Sequence, residues 1–168
     1  MAIAYERELK GILSAEPPVL SEIARVLPAE AAKNYEKVAA RPFLVVRAAG
    51  SLGCDLVALR DDVAFPIEVK SGKEEAIHLS NTAQMKLQAQ AMSRECARAG
   101  VIALYAFRRK NQRGQDAWRV YAIPAAGFQG RAKILYEHLP KLAVTERGNY
   151  VMRWREGMPL NLFLAYLC

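Results

Sequence analysis

The sequence predicts an α/β domain: a central mixed β-sheet flanked by helices, with a helical segment inserted near its start. Three observations lead there. Apolar residues make up 52% of 168 positions and charged residues 24%, the balance of a chain that buries one core. Stretches with helical spacing alternate with short β-branched runs in the order helix, strand, strand, strand, helix, strand. Two of those runs are separated by two turn residues, the mark of a hairpin.

The elements follow in order. Residues 3–13 place Ile3, Leu9, Ile12 and Leu13 among charges, an amphipathic helix that Pro17-Pro18 ends. Leu20, Ile23, Val26 and Leu27 give a second helix over 19–27, starting near Ser21, and residues 29–40 are rich in helix formers. Residues 15–40 are read as a helical insertion, or an assembly element, within a single 1–168 domain. Phe43 to Val46 is a buried-looking strand, and Gly50 to Gly53 a loop. Residues 55–60 and 63–70 are two strands around Asp61-Asp62. A helix over 81–98 stops before Gly100. Strands are expected at 101–107, 117–123 and 149–154, a helix near 131–139, and an apolar close at 160–167. No internal repeat is present.

Several function classes drop out early. No run of about 18 uncharged apolar residues exists, so no membrane span or membrane partner is expected. The N-terminus has an acid and a base by its seventh residue and does not read as a secretory signal. Three widely spaced cysteines, Cys54, Cys96 and Cys168, fit a reduced, cytoplasmic protein without a disulfide framework. No phosphate-binding glycine loop occurs, so no nucleotide cofactor is expected.

The charge is unevenly divided. Residues 1–93 hold 11 Lys/Arg and 12 Asp/Glu, whereas residues 94–168 hold 13 and 5. The excess has its dense point at Arg108-Arg109-Lys110 and Arg113. Such a field favours a polyanion, nucleic acid before an anionic membrane.

The hairpin carries the chemistry. With a two-residue turn at 61–62, Asp55 lies opposite Glu68, and Lys70 shares their face. Leu56, Ala58, Val63, Phe65, Ile67 and Val69 take the other face. A one-residue slip would bury the charges, so the pattern fixes the register. Opposed carboxylates repel, and Lys70 or, better, a divalent cation would offset the repulsion.

Asp55, twelve residues, then Glu68-Val69-Lys70 resembles the PD-(D/E)XK nuclease motif, and with it the restriction-endonuclease-like nuclease core. More narrowly, the chain resembles the archaeal-type Holliday junction resolvases. The matching stretches are Tyr5 to Leu9, Val45 to Ala48 with Ser51, Asp55 to Ala58, Ile67 to Ser71, Gln84, and Gly148 to Val151. The resemblance implies a homodimer that needs Mg2+, with Mn2+ as a substitute, and makes paired incisions in four-way junction DNA. It implies that Asp55 and Glu68 bind metal, that Glu6 on the first helix completes the site, and that Lys70 serves the attacking water. Ser51 would lie close to the scissile phosphate. Arg47 and Gln84 would support DNA or site geometry.

One departure matters. The family runs almost directly from its first helix into the strand before the serine loop, whereas this chain inserts roughly 25 residues. Glu30 is therefore a rival to Glu6. Lys73, Arg108, Arg109, Lys110 and Arg113 are expected to touch phosphates, which position DNA without reading sequence. Trp118, Trp154 and the 160–167 stripe are read as core or dimer contact, and Cys54 as structural. Other readings remain open: a restriction or repair nuclease of the same superfamily, a non-catalytic DNA-binding module, or a basic RNA-binding domain.

Overall fold

The computed structural model describes residues 2–49 and 51–168; of Ala2 and Ser51 the backbone alone is described. In chain order come α1 (Ala2–Leu13), α2 (Pro17–Ala24), α3 (Ala29–Glu36), β1 (Leu44–Arg47), β2 (Leu56–Arg60), β3 (Val63–Gly72) and β4 (Ala76–His78). Then follow α4 (Ala83–Ala99), β5 (Leu104–Arg109), β6 (Trp118–Ala122), α5 (Gly130–His138), β7 (Ala143–Val144), β8 (Tyr150–Arg153), β9 (Met158–Pro159) and α6 (Leu160–Leu167). A six-stranded mixed sheet has the order β1-β2-β3-β5-β6-β9, and a three-stranded sheet the order β4-β8-β7. Among the described residues, β3 and β5 are the one pair of strands that runs parallel in the large sheet, with α4 in the connection between them.

The expected hairpin is present with its expected register. Arg60 pairs with Val63 and Leu56 with Ile67, so the alternation sends Leu56, Ala58, Phe65, Ile67 and Val69 into one core. Leu9, Ile12 and Leu13 of α1 fill that core from outside the sheet, together with Leu160, Phe163 and Leu164 of α6. The 160–167 stripe is therefore a core helix.

The opposite face is a second core, and this differs from the sequence reading. The charged side of the hairpin was expected to be the sheet's open side. Instead Tyr105 and Phe107 of β5 stand beside Glu68 and Lys70, and α4 covers that face with Ala89, Met92 and Cys96. Parallel pairing with β5 makes β3 an interior strand, which a local pattern does not reveal. Thr82 caps α4 by accepting from the Met85 N–H at 3.1 Å, and Gly100 ends it at φ 70°.

The insertion is woven into the core. Pro17 and Pro18 do not only end α1; they occupy the first turn of α2, where a missing N–H costs nothing, and so α2 starts four residues before the expected Ser21. On α3, Tyr35 donates its hydroxyl to Asp116 at 2.8 Å, and Asn34 donates to Asn161 of α6 at 3.2 Å. Asn161 in turn donates to Asp116 through both its backbone and its side chain, and the Trp118 N–H completes the shell of that buried carboxylate. Most buried polar groups in proteins are satisfied in this way. Among the described residues, no helix is long and apolar enough to cross a membrane.

Candidate active site

The β2–β3 ladder ends at Leu56–Ile67, and Asp55 stands one step beyond it. Its N–H donates to Ile67 O at 2.9 Å, and its Oδ2 accepts from the Val69 N–H at 2.8 Å. One carboxylate oxygen is thus fixed by the partner strand, which orients the other. Glu68 is 6% exposed, and its Oε1 accepts from Lys70 Nζ at 2.5 Å.

The ion pair does not keep Glu68 acidic. Burial pushes its carboxyl up to about 7; Lys70 opposes the rise, and the Asp55 charge adds to it. Desolvation therefore outweighs the ammonium. Tyr105, the register partner of Glu68, has its phenol raised by burial and by the Glu68 and Asp55 charges. Glu68 takes the one ammonium and Asp55 stands beside the pair, in a face closed by aromatic rings. That excess of negative charge suits a hard divalent cation, which Mg2+-type sites often hold with one or two carboxylates plus substrate phosphate.

Glu6 does not join them. It lies on α1, which packs on the other face, and its Oε2 pairs with Arg47 at 2.9 Å. Among the described residues, no three His, Cys, Asp or Glu side chains gather closely enough to hold a metal ion. The expected three-carboxylate site is thus a two-carboxylate site in this geometry. Glu30 is no substitute, since it is exposed on the first turn of α3. The side chain of Ser51 lies outside the described residues, as does Gly50.

The basic residues separate into two groups. Arg108 pairs with Glu8 at 3.0 Å, and the same oxygen accepts from the Trp118 indole at 2.8 Å. Arg109 pairs with Glu75 at 2.5 Å. Both arginines are half-buried and pair with acids of the same chain, a half-buried Glu8 and an exposed Glu75. Lys73 and Arg113 are exposed, and Lys110 is half-buried where its N–H donates to Gly72 O. Trp154 is buried edge-on to Phe107 and under the Arg119 guanidinium, a core residue. Burial pushes the Cys54 thiol up to about 11, which suits a structural cysteine.

Two residues escaped sequence reasoning. Tyr105 borders the carboxylates, but only the parallel β3–β5 pairing shows it. Gln88, rather than the exposed Gln84, packs against the turn before Asp55. A Cβ on Gly53 (φ +72°) would sit 3.1 Å from both the Gln88 Cβ and its carbonyl oxygen, so glycine is required there. Helical spacing of one turn from Gln84 was the available signal. A cleft of about 340 Å³ lies elsewhere, lined by Arg60, Asp61, Asp62 and Val101 at the hairpin's turn end.

No family model matches the chain. No curated protein matches it either. Among solved structures it is similar to Hjc of Archaeoglobus fulgidus, described as a Holliday junction resolvase from an archaeal hyperthermophile. The identity is 22% and the TM-score 0.47, over 73% of this chain and 81% of that chain.

Proposed function

We propose that the chain is a metal-dependent, structure-selective endonuclease that cuts four-way DNA junctions by hydrolysing phosphodiesters in pairs. The observation that carries this reading is the buried Glu68 paired with Lys70 while Asp55, its charge raising the Glu68 carboxyl, is held beside it at the spacing of the nuclease motif. A Mg2+ or Mn2+ ion held by these two carboxylates would polarise the phosphodiester and acidify a water. The chain's own residues prepare the place. The Val69 N–H locks Asp55, and Glu68 fixes Lys70 so that its ammonium faces an incoming phosphate. Tyr105, Phe107 and Trp154 keep the floor of the site dry. Water attacks phosphorus in line, the bond to O3′ breaks, and that oxygen takes a proton, leaving a 5′-phosphate and a 3′-hydroxyl.

Arg47, Lys73, Gln84, Lys110 and Arg113 supply contacts to the DNA backbone, so binding falls steeply as salt rises and sequence preference is weak. Two symmetric incisions call for two sites related by a two-fold axis, hence a homodimer. A panel of four-way junction, flap, duplex and single strand with Mg2+ tests the proposal. Symmetric cuts confined to the junction support it. Equal cutting of plain duplex points to a general nuclease of the superfamily, and binding without any incision points to a DNA-binding module.

A further inference from the structure

The inserted helices build a cleft that the carboxylate site does not use. A Cβ on Gly11 would lie 2.7 Å from Val19 Cγ2, so only a bare backbone lets α1 and α2 touch there. Away from that contact a cleft of about 420 Å³ lies between the two helices. Its apolar lining is Ala4 on one wall and Val19, Ile23 and Val26 on the other. Val19 and Ile23 are partly buried against the first core, whereas Val26 is 66% exposed. Ile3, next to Ala4, is 50% exposed. The walls are well anchored. Leu20 fixes α2 in the core, α2 packs against α3 as well as α1, and α3 is tied down by the Tyr35 and Asn34 hydrogen bonds.

The rim decides what fits. Glu8 and Arg108 also line the cleft, but they are already paired with each other. Glu16 and Glu22 on one side and Arg7 on the other are exposed, and among the described residues none of the three has an ion-pair partner. The open acids outnumber the open cation, on a chain whose net charge is +7. Such a rim repels a DNA phosphate and attracts an apolar stripe flanked by cations. An amphipathic helix presents that stripe at i, i+3, i+4 and i+7, and binds by laying it into a groove.

We propose that the α1–α2 cleft is a docking groove for a basic amphipathic helix of a partner protein. The apolar residues of that helix cover Val19, Ile23 and Val26, and its Lys or Arg residues meet Glu16 and Glu22. The proposal goes beyond the nuclease reading and does not depend on it, because none of these residues belongs to the carboxylate site. The apolar lining supplies most of the affinity, and the rim charges choose the partner.

Fluorescence anisotropy on the full-length protein tests it with two labelled synthetic helices of about 15 residues, long enough to hold helical structure. Both carry the same Leu stripe; one flanks it with Lys and the other with Glu. NMR of the Val and Ile methyl groups locates the binding. The Lys helix is expected to bind at least about tenfold more tightly than the Glu helix, and to shift the methyls of Val19, Ile23 and Val26. The double variant Glu16→Lys, Glu22→Lys weakens it by about tenfold, because two attractions become repulsions. Val26→Ser, at an exposed position, keeps the parent's Tm and weakens the Lys helix by about fivefold.

No binding of the Lys helix, or equal binding of both helices, would overturn the proposal. So would methyl shifts confined to the surroundings of Asp55 and Glu68. Shifts of the same three methyls on adding four-way junction DNA, or on diluting the protein alone, would also overturn it, by assigning the cleft to DNA or to a second copy of the chain.

Discussion

The two ends of one hairpin treat charge in opposite ways. At the turn end, Asp62 meets Arg60 through two hydrogen bonds of 2.6 and 2.9 Å, with Arg131 at 2.9 Å and Arg41 at 3.3 Å. Arg60 also donates to Leu167 O, at the end of α6, and covers the Phe43 ring. Three cations serve one acid, and the Asp62 carboxyl is held down at about 2, chiefly by its hydrogen bonds to Arg60. At the open end, Lys70 pairs with Glu68 while the neighbouring Asp55 takes its hydrogen bond from the Val69 N–H, and burial pushes Glu68 up to about 7. The strands, the register and the core beneath are common to both ends. What differs is whether the negative charge is compensated from within the chain. A satisfied cluster holds the fold together, and an unsatisfied one waits for a ligand. The largest clefts do not make this distinction, since one of them lies beside the satisfied end.

The comparison breaks most visibly at Asp55. Asp55→Asn removes one acid at unchanged shape and is expected to cut junction incision with Mg2+ by roughly a thousandfold, about 4 kcal/mol of transition-state stabilisation. Single-turnover kinetics on a labelled junction measure it. The matched change at the other end, Asp62→Asn, leaves Arg60 buried without its counter-charge. It is expected to lower stability by about 3 kcal/mol in urea unfolding, while the incision rate of the folded protein stays within about a factor of two.

The two ends also respond to pH in opposite directions. Asp62 has a depressed folded pKa, so its stabilisation is full above its unfolded value near 3.8 and is lost as pH falls toward about 2. Glu68 has a raised folded pKa. Its contribution is full below its unfolded value near 4.5 and is lost as pH rises through about 7, a change of roughly 3 kcal/mol. Without divalent cation, thermal unfolding should therefore show a Tm that declines from pH 5 to pH 7.5. Glu68→Gln should flatten that decline, and Mg2+ should offset it. A decline that persists in Glu68→Gln would assign it to other groups.

The hairpin was the most legible part of the molecule. The alternation of Leu56, Ala58, Phe65, Ile67 and Val69 leaves one register that buries them, and that register brings Asp55, Glu68 and Lys70 onto one face. The caps of α4 were equally local, because Thr82 and Gly100 act on their own helix ends. What was not legible depends on contacts distant in sequence. The parallel pairing of β3 with β5 buries Glu68 against Tyr105 and gives the site its dry floor. The short strands β4 and β7 have too few residues to show a period, and they exist because β8 lies between them. The ion pair of Glu6 with Arg47 was not legible for the same reason. A helix pattern shows that α1 is amphipathic but not which sheet face it covers. The ion pairs of Arg108 with Glu8 and of Arg109 with Glu75 were not legible, because the acids lie far away in sequence.

The most direct measurement is an NMR titration of the Glu68 side-chain carboxyl carbon, with and without Mg2+. A midpoint near pH 7 in the free protein, moving down by two or more units when Mg2+ is added, is the expected result for an uncompensated acid pair that a cation completes. A midpoint in the ordinary carboxylate range that Mg2+ does not move would contradict it.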